Sequence, residues 1–256
     1  MLRDRLHAVE RDRWPFVGRD DLVDTVLTHL QDPHCDGVFL VGDPGVGTTR
    51  IMDEVLRRLR RTGRPWGRIV GSEGNRAVPF AALSHIIPGE VPPGTELDSV
   101  DLFNRIRFML GGTPAPHARF LNCVDDIPLL DDASLGLFTQ VLVAHLAIVV
   151  ATLHADQPTP PALTTIERSC RIRRVQVPPL DREIMLRMMD EALEAPIDGT
   201  SALVLAEAAQ GRPLFLAEVL DGSIASGALA PVLGTWTLQG APTVTARLTA
   251  AFDEAV

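Results

Sequence analysis

The run GDPGVGTTR, from Gly42 through Asp43, Pro44, Gly45, Val46, Gly47, Thr48 and Thr49 to Arg50, stands between the apolar stretch GVFLV and an amphipathic segment, IMDEVLRRLR. A strand, a glycine-rich loop and a helix start suit one chemistry, the holding of phosphate. The first backbone N–H groups of a helix have no partner within it, and the helix dipole adds positive potential there. Gly45 and Gly47 permit a tight wrap around an anion. The phosphate-loop pattern G-x-x-x-x-G-K-[ST] is met at Gly42, Gly47 and Thr49, whose hydroxyl has the position that ligates Mg²⁺ in such loops. Thr48 stands where the pattern requires lysine. All 24 residues of the Lys+Arg count are arginines, so no lysine elsewhere replaces it. Arg50 lies two residues further on, about 200° around a helix, which turns it away from that position.

A second set of candidates closes the stretch FLNCVDDIPLLDDASL. An apolar strand that ends in Asp125-Asp126 puts two carboxylates at the carboxyl edge of a sheet, where ligands bind in open α/β folds. Asp125 is the expected partner of Thr49 around Mg²⁺, and Asp126 the group that orients or activates a water. Their strand is expected beside the first strand, within reach of the 42–49 loop.

The elements that must position these groups are legible as short apolar runs separated by patterned helices. Strands are expected at 37–42, 67–72, 118–124, 146–153 and 173–177, and helices at 20–31, 49–62, 98–111 and 132–144. The runs are continuous rather than alternating, as in strands covered on both faces of a parallel sheet. The fold class is therefore α/β, a P-loop NTPase-like parallel sheet flanked by helices. Three domains are expected. Residues 1–178 form the P-loop domain, 179–222 a small helical lid, and 223–256 the start of a winged-helix-like segment. In the lid, Asp181 is a candidate helix cap and Pro213 a first-turn proline. In the last segment, TWTLQG reads as a strand and TARLTAAFDEAV as a helix, and the chain is expected to be a piece of a longer protein.

Composition excludes several classes. Net charge is −9, which opposes non-specific nucleic-acid binding by this segment. Cys35, Cys123 and Cys170 are far apart and read as reduced thiols of a cytoplasmic protein. No secretory signal is visible, and VLVAHLAIVVATL is too short to span a bilayer. Trp14, Trp66 and Trp236 read as packing residues, and no nucleophile-elbow pattern suggests a hydrolase triad.

Taken in order, FVGRDDLVDTVLTHL, VGDPGVGTTRIMDEVL, VPFAALSHII, CVDDIPLLDDASL, VPPLDREIMLRMM, AQGRPLFLAEVL and GTWTL resemble one group over nearly the whole chain. The group is the N-terminal nucleotide-binding domain of large LuxR-type transcriptional regulators of actinobacteria, signal-transduction ATPases with numerous domains. The resemblance implies adenine nucleotide and Mg²⁺ as ligands, with DNA bound only through a C-terminal helix-turn-helix absent from this chain. It assigns Val17, Gly18 and Arg19 to the segment near adenine and ribose, Gly211 and Pro213 to an element against the base, and Asp125 and Asp126 to the acidic pair. Three positions depart from the group: Thr48 for the phosphate lysine, Pro128 for a histidine after the acidic pair, and His154 for an arginine that senses the γ-phosphate. Two readings follow. One is a regulatory switch that binds ADP or ATP weakly with little or no hydrolysis. The other is a pseudo-ATPase scaffold that binds no nucleotide and mediates self-association or partner contacts.

Overall fold

The computed structural model describes residues 14–84, 119–193 and 195–244. The expected helices at 98–111 and in TARLTAAFDEAV lie outside the described residues.

Two compact units emerge, one comprising residues 21–43 and 48–177, the other 14–20, 44–47 and 178–244. In the first, β1 (Gly37–Gly42), β2 (Trp66–Val70), β3 (Phe120–Asp125), β4 (Ala147–His154) and β5 (Ile172–Gln176) form one parallel sheet in the order β2-β3-β4-β1-β5. The helices are α1 (Asp20–Gln31), α2 (Thr48–Arg60), α3 (Asp132–Val143) and α4 (Pro161–Ser169). The apolar runs explain the order of burial. All of β1 and nearly all of β3 and β4 are buried, whereas β2 and β5 are partly exposed, as edge strands must be. On β5 the exposed residues include Arg173 and Arg174, charges that discourage pairing with a further strand. One face of the sheet packs Phe39, Val41, Val124 and Val149 against Leu135, Phe138, Leu142, Leu163 and Ile166 of α3 and α4. At the start of β1, beside β4, Gly37 is obligatory, because a Cβ there would come within 2.3 Å of Val149 Cγ1 and 2.6 Å of its carbonyl oxygen.

Two expectations change. β3 does not lie beside β1, because β4 separates them. Strand order is set by how the crossover helices pack, which no property of an isolated strand encodes. Helix α4 was also not foreseen. It is nine residues long and follows the proline-rich stretch QPTP, and its Pro161 occupies the first helical turn, where a missing N–H costs nothing.

The second unit contains α5 (Arg182–Ala192), α6 (Gly199–Ala209), α7 (Pro213–Ser226) and the antiparallel hairpin β6 (Leu229–Val232) and β7 (Thr235–Leu238). Met185, Met188, Met189, Leu205, Leu216, Val219 and Trp236 share its core, with Val17 and Leu180. Pro213 opens α7 as expected, whereas Asp181 stands at the N-cap of α5 without making a side-chain cap hydrogen bond. Asp198, not singled out beforehand, caps α6 by accepting from the N–H groups of Thr200 and Ser201. The three cysteines are free and buried.

Candidate functional site

The carboxylate of Asp125 is the organising group of the sheet unit. It ends β3, is 8% exposed, and takes three side-chain donors. Thr49 Oγ1, in the first turn of α2, donates to Asp125 Oδ1 at 2.9 Å. Thr152 Oγ1, near the end of β4, donates to the same oxygen at 2.8 Å. Arg68 Nη2, from β2, reaches Asp125 Oδ2 at 3.2 Å while its Nη1 lies 2.6 Å from Asp53 Oδ1 of α2. Sheet register explains the convergence. Val70 pairs with Asp125, so Arg68, two residues back on the same face, is the diagonal neighbour that a long side chain spans. One step beyond the Val124–Ala151 pair, Thr152 comes opposite Asp125. Because α2 packs on β1, β3 and β4, Thr49 reaches Asp125 although β3 and β1 are not neighbours.

Asp126 has φ 50° and ψ 56°, a left-handed turn that aspartate tolerates better than most residues. Its N–H donates to Thr152 Oγ1 at 2.8 Å, so that one hydroxyl donates to Asp125 and accepts from Asp126. Gly71 makes room for the turn, since a Cβ there would sit 2.2 Å from the Asp126 carbonyl oxygen. The Asp126 side chain is paired with His154 Nε2 at 3.0 Å. The carboxylate expected to work on a water is thus engaged with the histidine that ends β4. Pro128 is buried in the single turn Ile127–Leu129 that follows. The hydrogen bond that His154 donates to Asp126 lifts the His154 pKa above its ordinary value, against the opposing effect of burial. With the folded value raised, the pair contributes stability that is complete below the unfolded histidine pKa, about 6.5, and is lost as pH rises through the folded value. In ¹H–¹⁵N spectra the His154 imidazole is expected to titrate above the ordinary range, and Asp126→Asn to bring it back. An unchanged midpoint in that variant would show that Asp126 is not the cause.

In the loop, Gly45 and Gly47 have φ of 84° and 98°, and no atom lies within 4 Å of where a Gly47 Cβ would stand. Thr48 is 5% exposed. Gly42 ends β1, with its carbonyl accepting from the Ala155 N–H at 3.2 Å. Asp43 and Arg50 are half-buried, and Pro44 is exposed.

Within the second unit, Arg19 is 7% exposed, and its guanidinium donates to the carbonyls of Pro178 and, at 3.4 Å, Val46. Burial pulls its pKa below the usual value, with Asp181 opposing. Gly18, at φ 69°, lies against Ile184, and Val17 is in the core. The Leu214 N–H donates to the Gly45 carbonyl at 3.3 Å, just after Pro213. Gly211, at φ 72°, passes so close to the Leu180 carbonyl that a Cβ would lie 2.5 Å from it.

Sequence reasoning missed Arg68 and Thr152. Each is a polar exception in an apolar strand, WGRIV and AIVVATLH, and each has the parity of Asp125 once the register is known.

A family model described as "AAA ATPase domain" matches residues 15–149, more than half of the chain. The chain belongs to that family. Curated proteins offer no match. Solved structures do. Cdc6p from Pyrobaculum aerophilum superposes with a TM-score of 0.61 at 14% identity, over 88% of this chain and 65% of that protein. The ORC1 protein of Aeropyrum pernix, solved in complex with DNA, gives 0.61 at 18% identity, over 96% and 68%. The S. cerevisiae Hsp104-ADP complex gives 0.56 at 15% identity, over 84% and 32%. At these identities the likeness is one of fold, a P-loop NTPase sheet, and the AAA domain spans only part of the length of these proteins.

Nucleotide and Mg²⁺ use is general in this class. Toward a phosphate the AAA domain has the glycine conformations and the open space at Gly47, but no cation at position 48. Toward a divalent cation the fit is poorer, because Asp125 already faces a guanidinium. Among the described residues no group of three or more His, Cys, Asp and Glu side chains is placed to hold a metal, and no helix is long and apolar enough to cross a membrane.

Proposed function

We propose that this AAA domain is the regulatory nucleotide-binding switch of a LuxR-type transcriptional regulator, holding ADP or ATP weakly with little or no hydrolysis. The observation that supports this best is the coexistence of an ordered Thr49–Asp125 contact with a lysine-free loop. The first retains the family's pairing of loop hydroxyl and strand carboxylate. The second removes a charged hydrogen bond, typically roughly 1.5–3 kcal/mol, so triphosphate affinity falls by about one to two orders of magnitude. Transfer chemistry suffers more, because charge develops on the phosphates in the transition state. The ordered series of resembling segments supports the regulator context, and the net charge of −9 agrees with DNA contact through another part of a longer chain. Buried, free cysteines agree with a cytoplasmic setting.

A pseudo-ATPase scaffold for self-association is favoured by a different observation. Asp126 is held by His154 and Arg19 by backbone carbonyls, which withdraws two groups from a ligand. Calorimetric titration of the purified chain with ADP and with ATP separates the two. The switch predicts saturable binding with dissociation constants in the micromolar-to-millimolar range and negligible phosphate release. Absence of binding to either nucleotide selects the scaffold.

A further inference from the structure

Arg68 has no role in the chemistry described so far, yet it is built into the one carboxylate that such a site reserves for a metal. Its guanidinium bridges Asp53 of α2, at 2.6 Å, and Asp125 of β3, at 3.2 Å. Asp125 Oδ1 meanwhile accepts from both Thr49 and Thr152, which accounts for that oxygen's two lone pairs. A carboxylate offered to a divalent cation works through its uncompensated negative charge. Here a fixed positive charge stands against it, on a side chain anchored at its other nitrogen by Asp53.

We propose that Arg68 is the resident counter-ion of Asp125, so that the site takes a nucleoside diphosphate without requiring a divalent cation. The inference rests on the nucleotide-binding reading above. Arg68 is a positioning residue, acting through Asp125 rather than on the ligand. Its guanidinium supplies at the strand end the positive charge that a bound metal otherwise brings, and it lowers the affinity of Asp125 for such a metal. A regulator that holds a diphosphate has no transferring phosphoryl group to stabilise, so it loses little by giving up the metal.

The test compares ADP titrations in magnesium chloride and in EDTA for the wild-type chain, Arg68→Gln and Arg68→Lys, with electron paramagnetic resonance of manganese alone as a second probe. The wild type is expected to bind ADP equally in both buffers, within about two-fold, and Arg68→Gln to bind about tenfold more tightly with magnesium than without. Arg68→Lys, which keeps the charge, is expected to behave like the wild type, a rescue that a merely structural role does not produce. Manganese alone should bind Arg68→Gln more tightly than the wild type. Magnesium-dependent ADP binding by the wild type, or equal manganese affinity in both chains, overturns the inference and leaves the nucleotide reading intact. No ADP binding in either buffer removes the nucleotide reading, and this inference with it. If Arg68→Gln fails to fold, the wild-type comparison between buffers decides alone.

Discussion

Replacing Thr48 by lysine is expected to tighten ATP binding by about ten- to a hundredfold, the largest functional change available from one substitution in this domain. Thr48 is the first residue of α2 and sits between two intact loop elements, Gly47 in its left-handed conformation and Thr49 bonded to Asp125. The substitution therefore adds a single interaction to a backbone already shaped for an anion. Without ligand, the ammonium opposes the positive end of the α2 dipole and lowers stability by about 0.3–1 kcal/mol. A bound phosphate reverses that sign. Hydrolysis is expected to rise less than affinity, because Asp126 remains paired with His154 and Pro128 still occupies the buried turn after the acidic pair. Calorimetry gives the affinity, and phosphate release gives the rate. A folded Thr48→Lys chain whose affinity for ADP and ATP is unchanged would sink the switch reading and leave the scaffold.

The largest expected loss of stability comes from a residue at the opposite end of the strands. Asp36 directly precedes β1, is 3% exposed, and accepts from Arg119 Nη1 at 2.7 Å, the Arg171 N–H at 2.9 Å and His145 Nδ1 at 3.0 Å. Arg119 leads into β3, Arg171 into β5, and His145 stands two residues before β4. One carboxylate thus ties together the beginnings of four strands. Its own main chain adds to the tie, since the Asp36 N–H donates to the Arg171 carbonyl and its carbonyl accepts from Val149. Asp36→Ala leaves these donors facing a buried gap, and an unfolding loss of about 2–4 kcal/mol is expected, reduced from the fully buried case because Arg119 can still turn toward water.

The same group sets an acid limit. Burial pushes the Asp36 carboxyl up, but the Arg171 N–H, Arg119 and His145 together outweigh it and hold the carboxyl below the usual carboxylate range. A depressed folded value means that the contribution is present above the unfolded pKa of about 3.9 and disappears as pH falls through the lower folded one. Urea denaturation across the acid range is expected to show a weaker loss in Asp36→Asn than in the wild type. An Asp36→Ala chain within about 0.5 kcal/mol of wild type would show that the strand starts are held by packing alone.

Much of this was present in the linear chain. All five parallel strands were marked to within two residues, and β1, β3 and β4 as continuous apolar runs, because a strand buried on both faces has no room for alternation. The loop, its missing lysine, Thr49 and the acidic pair were equally legible, since their spacing along one strand–loop–helix unit and one strand end is local information. What the chain could not reveal was which strands are neighbours. The insertion of β4 between β1 and β3 makes Thr152 the hydroxyl shared by Asp125 and Asp126, and β2 at the edge of the sheet makes Arg68 the partner of Asp125. Asp36 shows the same limit, because its donors come from residues 83, 109 and 135 positions away. Burial can be read from a side chain's own solvation preference. The partner of a buried charge depends on register and crossover geometry, and those exist only once the sheet has formed.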